Sequence, residues 1–203
     1  MLAAILPSRH GGGTPDAMIY KETLLKGAFA IDLEAHADER GFFGRSYCAQ
    51  EFEAHGLNPR VVQCNVSYNK ARGTLRGMHL QEAPYGEAKL IRCQRGALYD
   101  VIVDLRPESP TFRQWVAVEL RAAAGQVSRM LYVPEGFAHG FQTLEDDTEV
   151  FYQMSEFFVP SAARGFRWND PAFAIEWPEP VRVISDRDRT YPDFDGMQRQ
   201  DLR

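Results

Sequence analysis

The chain has 203 residues, 44% of them hydrophobic and 12% aromatic, enough for one domain with a real core and too apolar for a disordered polymer. A formal net charge of -5 argues against a general nucleic-acid or membrane-surface binder, while leaving room for a local Arg/Lys cluster aimed at a phosphorylated small molecule. Three scattered cysteines, Cys48, Cys64 and Cys93, form no CxxC and read as reduced thiols of a cytoplasmic protein, and no apolar run is long enough to cross a membrane.

Residues 1–17 read as a disordered extension, with an apolar start, no positive n-region and a Gly11-Gly12-Gly13 run, so one domain is expected over 18–203. Residues 50–55 (QEFEAH) suit a short helix. From there the chain shows short apolar runs broken every eight to twelve residues by turn residues, the pattern of an all-β sandwich or barrel. Strands are expected over 61–68, 89–93, 97–105, 114–120, 128–133 and 148–154. The run at 97–105 is the clearest: alternation sends Tyr99, Val101 and Val103 to one side and Leu98, Asp100 and Ile102 to the other. Pro107 and Pro110 make 106–113 a loop, and another helix or coil follows Asp186. His10, His36 and His55 lack any motif around them and read as surface residues.

A frame of chemistry-bearing residues lies on these elements. Gly73 precedes His79 by five intervening residues, Gln81 follows, Lys89 precedes Gly96 by six intervening residues, and Pro134, Gly136 and His139 come later. This frame resembles the two motifs of cupin jelly rolls, in which paired histidines and a glutamate hold a metal. Here Gln81 stands in place of the second His and Lys89 in place of the Glu. An ammonium repels a cation and has no lone pair to give, so the frame supports the fold and argues against a metal.

The segments RGTLRGMHLQ, AKLIRC, DVIVDLRPESPTF, YVPEGFAHGF, EVFYQ, RWNDP and ISDRD, in that order, resemble the dTDP-4-dehydrorhamnose 3,5-epimerase family across roughly residues 30–194. The resemblance implies a cupin-type antiparallel jelly-roll barrel with a few short peripheral helices. It also implies a cytoplasmic homodimer without metal or cofactor, taking a nucleotide-sugar substrate. The expected reaction is epimerisation of a 4-keto-6-deoxy sugar through an enolate, in rhamnose-type deoxysugar biosynthesis. Proton abstraction beside a carbonyl needs a base, an enolate stabiliser and an acid.

The resemblance assigns these roles to His79 as base, Asp188 as the carboxylate orienting it, Lys89 as oxyanion donor and substrate contact, and Tyr152 as acid. It makes Arg40, Arg76 and Arg187 substrate-binding arginines, with Arg40 reaching the neighbouring subunit's site. Gln63, Asn65 and His139 become base, sugar or phosphate contacts, and Phe158 the ring that stacks on the nucleobase, without the hydroxyl a Tyr would bring. Read without the resemblance, Tyr152 is a packed core residue, Lys89 a strand-edge lysine and Asp188 part of a solvated charged loop. Three departures fall on expected substrate contacts: Gly44-Arg45 after Phe43, Leu80 after His79, and Ala163 or Arg164 in place of an acidic residue. They bear on which nucleotide and sugar are used. The alternatives are a 3-epimerase or 3,4-ketoisomerase on another nucleotide sugar, a metal-dependent cupin, and a non-catalytic sugar-nucleotide-binding module.

Overall fold

Two antiparallel sheets make the body of the protein, in a computed structural model that describes residues 17–122 and 128–194. Residues 1–16 of the expected N-terminal extension lie outside the described residues. In chain order the elements are β1 (Ile19–Glu22), β2 (Phe29–Asp32), β3 (His36–Asp38), β4 (Gly41–Phe43), α1 (Ala49–Ala54), β5 (Gln63–Asn69), β6 (Leu75–Gln81) and β7 (Lys89–Arg95). They continue with β8 (Ala97–Asp104), β9 (Trp115–Arg121), β10 (Arg129–Val133), β11 (Phe137–Thr143), β12 (Thr148–Met154), β13 (Ala163–Gly165) and α2 (Asp186–Thr190). One sheet runs β1-β2-β10-β7-β12-β5, the other β13-β6-β11-β8-β9, and β3-β4 form a separate hairpin. The ladder does not close on itself, so the jelly roll is an open sandwich rather than a continuous cylinder.

The alternation expected along 97–105 is what holds the sheets together. Leu98 and Ile102 of β8 face Ile91 of β7, Leu131 and Val133 of β10 and Val150 of β12, all buried in one cluster between the sheets. Tyr99, Val101 and Val103 point the other way, under a cover of Phe166, Phe173, Ile175 and Phe194. A third cluster seats Phe52 of α1 and Leu57 on Ala88, Leu90, Met130 and Tyr132, on the outer face of the six-stranded sheet. Both faces of β8 are therefore covered, and all eight of its residues are buried. On the outer face near β5, Val66 and Tyr68 remain 58% and 46% exposed.

Strands β5, β7, β8, β9, β10 and β12 coincide with the expected ones within a few residues, as does α1 with the helix over 50–55. Strands β1, β2, β6, β11 and β13 were not expected, and neither was the β3-β4 hairpin. In β6 and β11 the reason is visible: Gly77 and Gly140 interrupt the apolar alternation that marks a strand. These glycines are required by contact. Gly77 has φ +126°, and a Cβ on it would lie 2.5 Å from Gly140 Cα. The strands meet with His139 opposite His79 and Phe141 opposite Arg76, so three steps along β6 match two along β11. That extra residue is a β-bulge, and it reverses the inside–outside parity of β6 on one side of Gly77.

The three thiols are free, and among the described residues no helix is long and apolar enough to cross a membrane. The close approach at the bulge yields a prediction. In Gly140→Ala the new Cβ would sit 2.6 Å from Met78 Sδ and 2.8 Å from the Arg76 carbonyl oxygen. Overpacking of this kind costs about 1–3 kcal/mol, equivalent to a drop in Tm of roughly 3–10 °C in a domain of this size. A melting curve superimposable on the wild type would contradict it.

Candidate active site

A cleft of about 660 Å³ opens between the two sheets, at one end of the sandwich. His79, Lys89, Tyr152, Arg76, Asn65, His139, Phe158 and Arg187 all line it, as do Gln81 and Glu87. The strands explain the convergence. Met78 and Leu80 of β6 pack into the cluster on the outer face, so His79 and Gln81 point inward. The bulge brings Arg76 to the same side as His79. On β7, Lys89 shares parity with Ile91 and Cys93, which face the interior. Across the β7–β12 ladder, Ile91 lies opposite Tyr152 and Lys89 opposite Met154, so Tyr152 and Lys89 are diagonal neighbours on one sheet face.

The cleft thus has two chemically different walls. The β6 wall carries His79, whose Nε2 lies 2.7 Å from Asp188 Oδ1. The imidazole is 40% exposed and the carboxylate 6%. Asp188 sits on α2, a single turn capped by Ser185, whose hydroxyl oxygen accepts the Asp188 amide at 3.1 Å. Its second oxygen accepts the Gly77 amide at 3.2 Å. Burial works against ionisation of Asp188, but the hydrogen bond and charge of His79, helped by the Gly77 and Ser185 contacts, outweigh it and hold the carboxyl below its ordinary range. An ionised carboxylate only accepts, so Nε2 of His79 carries a hydrogen, and in the neutral imidazole Nδ1 is left with the lone pair.

The opposite wall holds Tyr152 and Lys89. Burial first, and then the charge of Asp100, push the Tyr152 phenol well above its usual value; Arg76 and Ser67 pull the other way without offsetting them. The hydroxyl therefore keeps its proton throughout the neutral range. Lys89 Nζ lies 2.9 Å from Glu87 Oε1, with each side chain 10% exposed. From the other sheet, His139 of β11, opposite His79 in the ladder, meets the Tyr152 ring edge to face at 6.2 Å. His139 is itself hydrogen-bonded through Nε2 to Asp100, which is fully buried and has one oxygen without a partner.

Three of the expected residues are not part of the cleft lining. Asp188 stands behind His79. Gln63 supports the rim, accepting the Phe158 amide at 3.1 Å. Arg40 lies on the exposed β3-β4 hairpin, paired with Asp38, with its side chain 86% exposed. Sequence reasoning missed Glu87 and the pairing of Asp100 with His139. A signal was present for Asp100, since a carboxylate in the middle of LYDVIVD is out of place in a buried strand. It also missed what Gln81 does: its amide donates to Tyr85 O and Phe157 O and accepts from Val159 N at 2.6 Å, clamping the loop that carries Phe158. Of the three departures, Leu80, Ala163 and Arg164 line the cleft, whereas Arg45 does not and pairs with Glu51 of α1. Among the described residues no three His, Cys, Asp or Glu side chains converge where they could hold a metal ion.

Fold and cleft together define a jelly-roll isomerase, an enzyme that relocates protons on its substrate. The family model described as dTDP-4-dehydrorhamnose 3,5-epimerase matches residues 22–196, and the chain belongs to that family. The enzyme of that name from Salmonella typhimurium is 41% identical over 180 residues, covering 88% of this chain and 96% of the relative. The crystal structure of the Bacillus anthracis enzyme, with TDP and PPi bound, is 44% identical with a TM-score of 0.81, covering 87% of this chain and 99% of that one. The Legionella pneumophila dTDP-6-deoxy-D-glucose-3,5-epimerase, in complex with dTDP-4-keto-L-rhamnose, is 33% identical with a TM-score of 0.82, covering 92% and 97%.

The state of Asp188 has a measurable consequence. Its pKa is lowered in the fold, so its ionised form contributes stability above the unfolded value of about 4, and that contribution disappears as pH falls through the lower folded-state value. Asp188→Asn is expected to be less stable than wild type by about 1 kcal/mol at pH 7, with the gap narrowing as pH falls below the unfolded value of about 4. Urea unfolding midpoints at pH 7, 5 and 3 measure it, and an equal gap at all three would show that the charge is not what matters.

Proposed function

We propose that this chain epimerises a nucleotide-linked 4-keto-6-deoxy sugar at C3, C5 or both, by proton abstraction and reprotonation through an enolate, in rhamnose-type deoxysugar biosynthesis. The observation that carries the mechanism is that His79 and Tyr152 stand on opposite sheets and face one cleft. Inversion at carbon needs a base on one face of the sugar ring and an acid on the other. His79 Nδ1 removes the proton next to the keto group, and Asp188 stabilises the imidazolium that forms. The ammonium of Lys89 holds the negative charge that develops on the carbonyl oxygen. Tyr152 then delivers a proton from the far side. The chemistry is redox-neutral.

For the rest of the substrate, Arg76 and Arg187 offer guanidinium forks to a diphosphate at the cleft mouth. Phe158, 53% exposed at the rim, is a platform for the base, with Gln63 and Asn65 beside it on β5 and His139 deeper in. Complexes of relatives with TDP and with dTDP-4-keto-L-rhamnose support a nucleotide sugar as the ligand.

We read the working unit as a homodimer. The β3-β4 hairpin is exposed along its length, with Phe43 71% exposed, and it carries Arg40 away from the cleft of its own chain. The uncovered Val66 and Tyr68 offer an apolar face for a second copy.

In D2O with a dTDP-linked 4-keto-6-deoxy sugar, NMR should show deuterium beside the keto group and the inverted product. His79→Ala should lose exchange by about 10²–10⁴-fold. Tyr152→Phe should still exchange, since His79 can return a deuteron to the face it came from, but should give little inverted product. Exchange surviving in His79→Ala removes that residue as base; inversion at the wild-type rate in Tyr152→Phe removes the tyrosine as acid. The dimer is tested by mixing two weakened variants, His79→Ala and Arg40→Ala. If Arg40 serves the partner's cleft, subunit exchange restores activity toward a quarter to a half of the wild-type level, because one of the two sites in a mixed dimer is intact. No recovery after verified exchange would show that Arg40 does not serve the partner's cleft.

A further inference from the structure

Glu87 has no part in the mechanism above, yet it lies in the same cleft and touches one of its members. It precedes Lys89 by two residues, so extended backbone turns both side chains to the same face. Its carboxylate is 2.9 Å from the Lys89 ammonium, and both groups are nine-tenths buried. A carboxylate here is a poor choice if Lys89 is meant to grip a diphosphate. It repels the phosphates, and beyond a few ångströms it cancels most of the ammonium's field. At short range the outcome differs. An ammonium has three N–H donors, and one directed at Glu87 leaves two whose directions are then fixed. Such a pair suits a neutral carbonyl oxygen that becomes negative during reaction.

We infer that Glu87 is a positioning residue: it holds the Lys89 ammonium and aims its remaining donors at the sugar's carbonyl oxygen rather than at the diphosphate. This rests on the reading of Lys89 as oxyanion donor. The test compares Glu87→Gln, Glu87→Asp, Lys89→Met and the Glu87→Gln/Lys89→Met pair, each first checked for an unchanged melting temperature, using a dTDP-linked 4-keto-6-deoxy sugar for turnover and dTDP alone for binding. Glu87→Gln should lower kcat about 10- to 100-fold, while KM and the Kd for dTDP stay the same or improve, because a negative charge has left the cleft. Glu87→Asp should recover part of kcat. In the Lys89→Met background, Glu87→Gln should add nothing, since Glu87 acts only through the lysine. A raised KM and weakened dTDP binding with kcat intact would overturn the inference, and so would an undiminished Glu87→Gln effect in the absence of Lys89. If Lys89→Met keeps wild-type kcat, the oxyanion reading fails. If Lys89→Met loses kcat and Glu87→Gln does not, that reading stands and only the role of Glu87 falls.

Discussion

The site depends on one surplus residue in β6. Without the bulge opposite β11, side chains three apart on a strand point to opposite faces, and Arg76 would face outward if His79 faced inward. The bulge is possible because two glycines meet there, with no room for a Cβ on either. The amide of Gly77 is also turned to Asp188, so the same irregularity that aligns Arg76 with His79 supplies a hydrogen bond to the carboxylate that orients the imidazole. Such bulges leave backbone groups without ladder partners, and here one of them has been put to use.

The fold was legible in the sequence wherever strand alternation was undisturbed. The run at 97–105 announced its two faces correctly because both are covered and every position but Asp100 and Asp104 is apolar. Strands β6 and β11 were not legible as strands, since the glycines that build the site also erase the periodicity. Their chemistry was nonetheless readable, because the order and spacing of Gly73, His79, Gln81, Lys89 and His139 survive as a motif. Most of the expected residues do meet in one cleft. The partnerships Glu87–Lys89 and Asp100–His139 were hidden for different reasons. The first is local, but a carboxylate two residues from a lysine is common on any surface. The second joins residues 39 apart, on strands whose adjacency the sequence does not state. Arg40 was named by the resemblance alone, and in the single chain it stays exposed on the β3-β4 hairpin, paired with Asp38.

The two ends of the sandwich divide its tasks. One end is closed by Leu98, Ile102, Leu120, Phe141 and Val150 and has the dryness of an ordinary core. The other opens to water through charged side chains, several of which are matched with a partner: His79 with Asp188, Lys89 with Glu87, Arg164 with Glu82. Matching keeps the electrostatic cost of these groups bearable beside an apolar interior, and it fixes their directions before any ligand arrives.

Asp188 comes late in the chain. Every strand of both sheets has been made by Gly165, yet the His79 imidazole gains its carboxylate only when the segment near residue 188 is in place. That segment is strapped on by backbone bonds from Arg182 N to Gly73 O and from Leu75 N to Val183 O, on either side of the Thr74 bridge. During synthesis from the ribosome the scaffold can therefore assemble while the His79 imidazole still lacks its carboxylate. Under the mechanism proposed above, turnover then reports the one event that the sheets do not: that the segment around residue 188 has been made and has found its way back to β6.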